Sequence, residues 1–147
     1  MGKLRTIRPR RLWVMAGVNV LITSFNIVAV LFLFFSPNVP AAFAKGPISV
    51  VSTSALSLVL MISSVYCAIG SRIARNVTIA AAVLFYGVIL ANHIAVLVDS
   101  GSEFPAPALL KLRAGVLRTL IELSITLWAV LSLKSRVYFA TRPLPPN

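Results

Sequence analysis

Residues 76–133 read NVTIAAAVLFYGVILANHIAVLVDSGSEFPAPALLKLRAGVLRTLIELSITLWAVLSL, and this stretch decides the fold. It contains two apolar runs, at about 77–98 and 109–133, with a short polar link between them. At about 1.5 Å of rise per helical residue, each run is long enough to cross a hydrocarbon core of roughly 30 Å. The stretch also holds all three acidic residues and the single histidine of the chain, so we expect any polar site inside a membrane to lie here.

Two further apolar runs come before this stretch. The chain of 147 residues is 59% apolar and only 12% charged, whereas soluble domains are roughly 45–50% apolar and about 25% charged. We therefore predict a single all-α membrane domain over residues 1–147, a four-transmembrane-helix bundle with helices at about 12–35, 48–70, 76–98 and 109–133. The second and third helices are joined so tightly that they must be antiparallel neighbours.

The amino-terminal run has an alternative interpretation. A basic start, an apolar run and the triplet Ala42-Phe43-Ala44 together resemble a secretory signal peptide. The apolar core of such a peptide is usually only about 7–15 residues long. The run from Leu12 to Phe35 is longer than this, so we expect a retained transmembrane helix.

The basic residues predict an orientation. Ten Lys and Arg residues lie in the two tails and the second link, and three lie in the first and third links (Lys45, Lys111 and Arg113). By the positive-inside rule, both termini are expected in the cytoplasm. The aromatic residues Trp13, Tyr138 and Phe139 are expected at that membrane boundary.

Composition and spacing also exclude several classes of function. The net charge of +11 is gathered at the ends of apolar runs and forms no continuous basic surface, so no nucleic acid partner is expected. Cys67 is the only cysteine, which excludes a disulfide and a CxxC motif. It falls near the opposite membrane face from His93, so we predict no metal site and no cofactor. No convergent catalytic set is visible, and we predict that the protein is not an enzyme.

Small and polar residues repeat at helical spacing within the runs. Helices in lipid associate through small residues that allow close approach and through polar side chains that bond across helices. The sequence therefore predicts helix-packing roles for eight residues: Asn19, Thr23, Asn26, Ser57, Gly87, Ala91, Ala95 and Thr126.

Glu122, Arg118 and His93 form a candidate intramembrane polar site. A carboxylate within a span costs about 2.5–3.5 kcal/mol on insertion scales, so Glu122 is expected to be paired, protonated or inward-facing. Arg118 is four residues earlier on the same helix face and can pair with it. The functional interpretation is a titratable site in the outer half of the membrane. The structural interpretation is an internal ion pair, with His93 bonded to a backbone carbonyl or to Tyr86.

Two known layouts are similar in architecture. Small multidrug transporters also place four spans in a short chain, but they depend on an acidic residue in the first helix, and this chain has none between Leu12 and Phe35. The immunity proteins that protect bacteria from pore-forming toxins share the layout and the basic cytoplasmic side. No sequence motif carries either likeness.

These observations lead to one expectation about function and an alternative. With so little extramembrane sequence, the protein is expected to act by binding other membrane components, as an accessory subunit, assembly factor or immunity-type binder. Its expected partners are the lipid bilayer and a membrane protein or a second copy. The alternative is a small oligomeric transporter or channel that uses Glu122. The expected location is the bacterial inner membrane.

Overall fold

The computed structural model describes residues 9–35, 47–100 and 105–140. They form four long helices and a short one: α1 (Arg10–Phe35), α2 (Pro47–Ile69), α3 (Arg72–Ser100), α4 (Ala106–Leu131) and α5 (Leu133–Ala140). The amino-terminal tail, the first link with its Ala42-Phe43-Ala44 triplet and Lys45, residues 101–104 and the carboxy-terminal tail lie outside the described residues.

Each long helix is long and apolar enough to cross a membrane. The prediction of an all-α bundle of four transmembrane helices is therefore confirmed, and the chain is an integral membrane protein. Neighbours in the chain pack side by side, α1 on α2, α2 on α3 and α3 on α4, and a smaller contact between α4 and α1 closes the ring.

Helices α3 and α4 begin earlier than predicted, because the residues of the preceding turns allow a helix to start there. Pro105 precedes α4 and Pro107 lies in its first turn, a position that tolerates proline because the first amide groups have no partner within the helix. The helix consequently begins at Ala106 and not near residue 109. In the turn between α2 and α3, Gly70 has a φ of 104°, a left-handed conformation suited to glycine. This turn lets α3 begin at Arg72, with only Gly70 and Ser71 between it and the end of α2.

The helix ends define two ends of the bundle. We call one the basic end, because it gathers six cationic side chains: Arg10, Arg11, Arg72, Arg75, Lys134 and Arg136. We call the other, where α1 and α3 end and α4 begins, the far end. At the basic end the Arg11 guanidinium lies 4.9 Å from the ring centre of Trp128, linking α1 to α4.

Close packing is confined to the half of the bundle nearer the basic end. No described residue of α1 beyond Thr23, of α3 beyond Tyr86 or of α4 before Thr119 is buried. Two clusters fill the closely packed half. One lies around Leu12, Cys67 and Val130, and the other around Leu60, Phe85 and Tyr86. The far half is more open, and most of its described side chains are partly or fully exposed.

Helix α5 was not predicted as a separate element. The backbone breaks at Ser132, whose hydroxyl lies 3.0 Å from that of Ser135. The chain then turns so that Tyr138 and Phe139, predicted as aromatics at the membrane boundary, are buried in the cluster at the basic end. Arg72 fastens the end of α5, donating from Nε to the Phe139 carbonyl (2.7 Å) and from Nη2 to the Ala140 carbonyl (2.8 Å).

Candidate functional site

The side chain of Asn19 joins all four long helices. It is fully buried on α1, and its Nδ2 donates to the Ser64 hydroxyl of α2 at 2.9 Å. Its Oδ1 accepts from the Tyr86 hydroxyl of α3 at 2.9 Å and from the Thr126 hydroxyl of α4 at 3.1 Å. A carboxamide offers two donors and an oxygen with two lone pairs, so Asn19 satisfies both lone pairs and bonds one residue on each of the other three helices. We call these four residues the Asn19 hub.

The hub satisfies polar groups that lipid cannot. Thr126 lies 3.0 Å from the Glu122 carbonyl oxygen as well as 3.1 Å from Asn19 Oδ1, so its single proton is shared between two acceptors. Thr23 donates to the backbone carbonyl of Asn19 at 2.7 Å. In a medium without water, such bonds fix which helix faces meet and at what height. We infer that the hub is a structural device that sets the register of the bundle.

The other predicted polar packing residues act more locally. Thr23 and Ser57 are buried, as expected for packing residues, but each donates to a carbonyl four residues earlier in its own helix. A hydroxyl in a helix readily forms that bond, which removes the need for a partner on another helix. Asn26 is only half-buried, and its Oδ1 has no hydrogen-bond partner among the described residues. Within that part of the chain, Asn19 and Thr126 are therefore the predicted polar packing residues that form hydrogen bonds between helices.

The small residues of α3 that were predicted to pack within the bundle, Gly87, Ala91 and Ala95, lie on its outside. Ala91 and Ala95 are exposed, and Gly87 is half-buried. A Cβ atom added to Gly87 would meet nothing within 4 Å. The assignment of these three residues to packing within the bundle is therefore wrong. On α3, larger residues such as Phe85 and Tyr86 fill the inward face instead, and the small residues face outward.

Arg118 and Glu122 form the predicted ion pair on α4. Arg118 Nε donates to Glu122 Oε1 at 2.6 Å. The two side chains differ greatly in exposure, 72% for Arg118 and 15% for Glu122. The carboxylate is thus drawn into the bundle while the guanidinium stays on its outer surface. The guanidinium of the ion pair therefore faces the surroundings of the bundle.

His93 does not join this pair. Its Nδ1 lies 2.8 Å from the Ile89 carbonyl oxygen, which can only accept, so Nδ1 carries the proton. This is the backbone bond that the structural interpretation anticipated; Tyr86 bonds Asn19 instead. The His93 ring lies against Gly115 of α4, where an added Cβ would be 2.7 Å from Nε2. Gly115 precedes Glu122 by two helical turns, about 10 Å along the axis. The predicted three-residue site is therefore an ion pair with a separate histidine contact.

The His93–Gly115 contact sets the relative height of α3 and α4. Because the two helices are antiparallel, three residues further along α4 corresponds to three residues back along α3. Arg118 is accordingly level with Leu90, next to Ala91 and about one turn from Gly87. The small residues of α3 and the exposed charge of α4 therefore lie at the same depth.

Arg118 lies on the edge of α4 that faces α1. At about 100° per residue, Leu123, which packs against the Phe85 and Tyr86 cluster, is on one side of Thr119. Arg118 is on the other side, toward Trp128, which contacts Arg11 of α1. The exposed charge of α4 and the small residues of α3 therefore lie on different surfaces of the bundle.

The depth of Arg118 makes its exposure costly. It is the middle residue of α4, about 18 Å from the start of that helix. If the membrane boundary lies as far in as exposed Arg113, Arg118 is still about 7 Å below it. An arginine at the centre of a span costs about 2.5–3.5 kcal/mol on insertion scales. Intramembrane charges therefore normally face a protein interior or a water-filled cavity. Arg118 differs because its side chain is exposed on the outside of the bundle.

Ser64 and Tyr86 were missed as site residues. Position along the helix places Tyr86 about 21 Å from the start of α3 but Asn19 only about 14 Å from the start of α1. Side chains in a helix lean toward its amino-terminal end. The long side chain of Tyr86 therefore leans back toward the basic end, where it meets Asn19.

Within the described part of the chain, no three His, Cys, Asp or Glu side chains lie together as metal ligands would. Cys67 is buried among apolar side chains at the basic end, in the cluster that also contains Leu12 and Phe139. In comparisons with protein-family models, curated sequences and solved structures, nothing matches this chain, so its function is inferred from the arrangement of its own residues.

Proposed function

We propose that this protein acts by binding another membrane protein through the surface of α4 around Arg118, as an accessory subunit, assembly factor or immunity-type binder. The observation that carries the proposal is the exposure of Arg118 at membrane depth. In lipid the guanidinium would be poorly solvated, whereas a partner could cover it. Ala114, exposed one turn earlier on the same helix face, leaves room for a partner helix beside it.

The same observation favours this proposal over a small transporter or channel. Coupling to protons would require Glu122 to act with other titratable groups along a path. Glu122 is held by Arg118, and His93 lies about two turns away against Gly115. The Asn19 hub, with Phe85 and Leu60, fills the centre of the closely packed half. These features support a rigid binding scaffold more than a conducting path.

We also propose that both termini are cytoplasmic and that the protein lies in the inner membrane of a bacterium. The support is the gathering of basic residues, six of them at the basic end of the described residues. Cationic residues are retained on the cytoplasmic side of membranes. Arg118, in the middle of α4, would then lie near the middle of the membrane or in its outer half.

The experiment is site-specific photo-crosslinking in native membranes at native expression level. A photoreactive residue replaces Ala114, exposed one turn from Arg118 on α4, or, as the control, Val59 on the exposed side of α2. We expect a discrete crosslinked membrane protein from position 114 and none from position 59. Arg118→Gln should remove that product, while Arg113→Gln, which changes an exposed charge elsewhere on α4, should retain it.

A crosslinking pattern confined to lipid at both positions would overturn the proposal. So would a product at position 114 that persists unchanged in Arg118→Gln, because the exposed guanidinium would then have no part in binding.

A further inference from the structure

We propose that the junction of α3 and α5 at the basic end binds a phosphate group through the side chain of Arg75. This site is separate from the surface of α4 around Arg118 and goes beyond the proposed function. Arg75 lies in the first turn of α3, and its guanidinium carbon is 5.6 Å from the ring centre of Phe139 on α5. A cation at this distance from an aromatic ring is held by it.

Arg75 has hydrogen-bond donors that the described residues leave open. Its Nε is buried and has no hydrogen-bond partner in that part of the chain, where its two Nη groups have no hydrogen bond and are not buried. One edge of the guanidinium thus faces the protein, and the edge with the Nη groups is accessible. Two parallel N–H groups are what arginine uses to bind two oxygens of one phosphate.

The chain does not balance the charge of Arg75 with an acidic side chain. Its three acidic residues are Asp99, Glu103 and Glu122. Asp99 lies about 36 Å further along α3, Glu103 follows in the link after that helix, and Glu122 is bonded to Arg118. Neither tail contains an acidic side chain. The anion that neutralises Arg75 is therefore expected to come from outside the protein.

Arg72 adds positive charge at the same place. It lies one turn before Arg75 on α3, and residues three apart share a helix face. Arg72 donates to the carbonyl oxygens of Phe139 and Ala140, which are uncharged acceptors. These bonds hold α5 in place but leave the charge of the guanidinium unbalanced. Two positive charges therefore lie one turn apart beside Phe139.

The position of the junction favours a lipid headgroup as the source of the phosphate. Helix α5 packs against the ends of two spans: the Tyr138 hydroxyl donates to the Ile69 carbonyl at the end of α2 (3.3 Å), and Arg72 fastens α5 to the start of α3. The junction is thus at the level where the spans end, which is where lipid phosphates lie. Basic pockets between transmembrane helices on the cytoplasmic side of a membrane bind such headgroups.

The experiment measures lipid binding to the full-length protein in uncharged detergent by native mass spectrometry. The probes are phosphatidylglycerol, whose phosphate carries a net charge, and phosphatidylcholine, whose phosphate is balanced by choline. We expect phosphatidylglycerol to bind about tenfold more tightly. Inorganic phosphate is then added as a competitor. If it displaces the lipid at millimolar concentration, the phosphate site stands and its ligand is a soluble phosphate; if it does not, the ligand is the headgroup.

Variants locate the site on the protein. Arg75→Gln should weaken the binding of phosphatidylglycerol about tenfold, because a charge-assisted pair of hydrogen bonds is lost. Arg75→Lys should restore only part of the affinity, since lysine keeps the charge but lacks the paired N–H groups. Arg10→Gln is the control, because it removes an exposed charge at the same end of the bundle but on α1. It should change the affinity less than about twofold.

A measurement on the unaltered protein does not depend on how the variants fold. A headgroup held at the junction should slow the deuterium exchange of the α5 amides, because a ligand stabilises the folded state that binds it. We expect slower exchange on adding phosphatidylglycerol and no change on adding phosphatidylcholine.

Three results would overturn the inference. Phosphatidylglycerol could bind Arg75→Gln as tightly as the unaltered protein, or Arg10→Gln could lose as much affinity as Arg75→Gln, which would leave only a general attraction between charges. Exchange of α5 that is the same with both lipids would show that no headgroup lies at the junction. Crosslinking at position 114 does not involve Arg75, so the proposed function stands or fails separately.

Discussion

At the scale of single residues, two asparagines on the same helix have opposite situations. Asn19 bonds Ser64, Tyr86 and Thr126, whereas the buried Oδ1 of Asn26, two turns further along α1, has no partner in the part of the chain that the structure describes. Identical side chains in a similar medium therefore provide a matched comparison of what interhelical hydrogen bonds contribute.

We expect Asn19→Leu to lower the free energy of unfolding by roughly 2 kcal/mol, since hydrogen bonds between membrane helices average about 0.6 kcal/mol each and three are lost. Asn26→Leu should leave stability unchanged or slightly raised, because it removes an unpaired polar oxygen from an apolar site. Reversible unfolding in mixed detergent micelles measures both values. Equal losses in the two variants would show that the hub contributes nothing specific.

A second residue-scale prediction concerns the approach of His93 to Gly115. Gly115→Ala would place a methyl group 2.7 Å from His93 Nε2, so the ring must move and strain its bond to the Ile89 carbonyl. We expect a loss of about 1–3 kcal/mol, the usual cost of overpacking. Gly87→Ala is the control, because its Cβ would meet open space.

The test of this contact is a double-mutant cycle in detergent. Adding His93→Ala to Gly115→Ala should recover most of the lost stability, since the methyl group then has room. If His93→Ala and Gly115→Ala are simply additive, the two residues are not in contact.

At the scale of elements, sequence predicted the four spans and missed α5. Apolar run length alone identifies a span, because only a helix satisfies every backbone group in lipid. That rule carries no information about an eight-residue helix such as α5. Its formation depends on tertiary contacts: the break at Ser132, the burial of Tyr138 and the bonds from Arg72.

The same limit applies to the small residues of α3. Periodicity correctly grouped Gly87, Ala91 and Ala95 on one side of α3, but it cannot say whether that side meets a helix of the same chain. The relevant fact is which side Phe85 and Tyr86 occupy in the packed bundle. By contrast, the Arg118–Glu122 pair was predictable because i, i+4 geometry is set within one helix.

An element-scale prediction follows from the contact between Arg72 and the last turn of α5. Arg72→Gln removes the guanidinium that donates to the Phe139 and Ala140 carbonyls. We expect the amides of α5 to exchange with deuterium about tenfold faster or more, because a helix this short is marginal without tertiary support. Hydrogen exchange with mass spectrometry measures the effect.

Arg136→Gln is the control for this prediction, since it removes an exposed charge from α5 itself. It should leave exchange unchanged. Faster exchange in both variants alike would attribute the effect to charge near the helix end and not to the bonds from Arg72.

At the scale of the whole molecule, we predict how the protein is oriented in the membrane. The four spans place both termini on one side, and the basic end should be cytoplasmic. A fluorescent protein fused after Asn147 should therefore fluoresce in bacterial cells, and alkaline phosphatase fused within the first link, residues 36–46, should be active. The reverse pattern would place the basic end outside.

A second test of the orientation removes basic residues from one side of the membrane at a time. Replacing Lys3, Arg5 and Arg8 by Gln should lower the fluorescence of the carboxy-terminal fusion, because these residues help to retain the amino terminus. Replacing Lys111 and Arg113 should not. If neither set matters, the orientation is fixed by something other than charge.

The Asn19 hub also has a consequence for how the protein is made. Asn19 is synthesised first, but its partners lie 45, 67 and 107 residues later in the chain. While the earlier helices are already in the membrane, the last acceptor position on Asn19 remains open until α4 leaves the ribosome. A nascent chain that stops before Thr126 thus keeps a hydrogen-bond acceptor incompletely paired in lipid. Completion of the hub marks the moment at which synthesis has delivered the whole bundle.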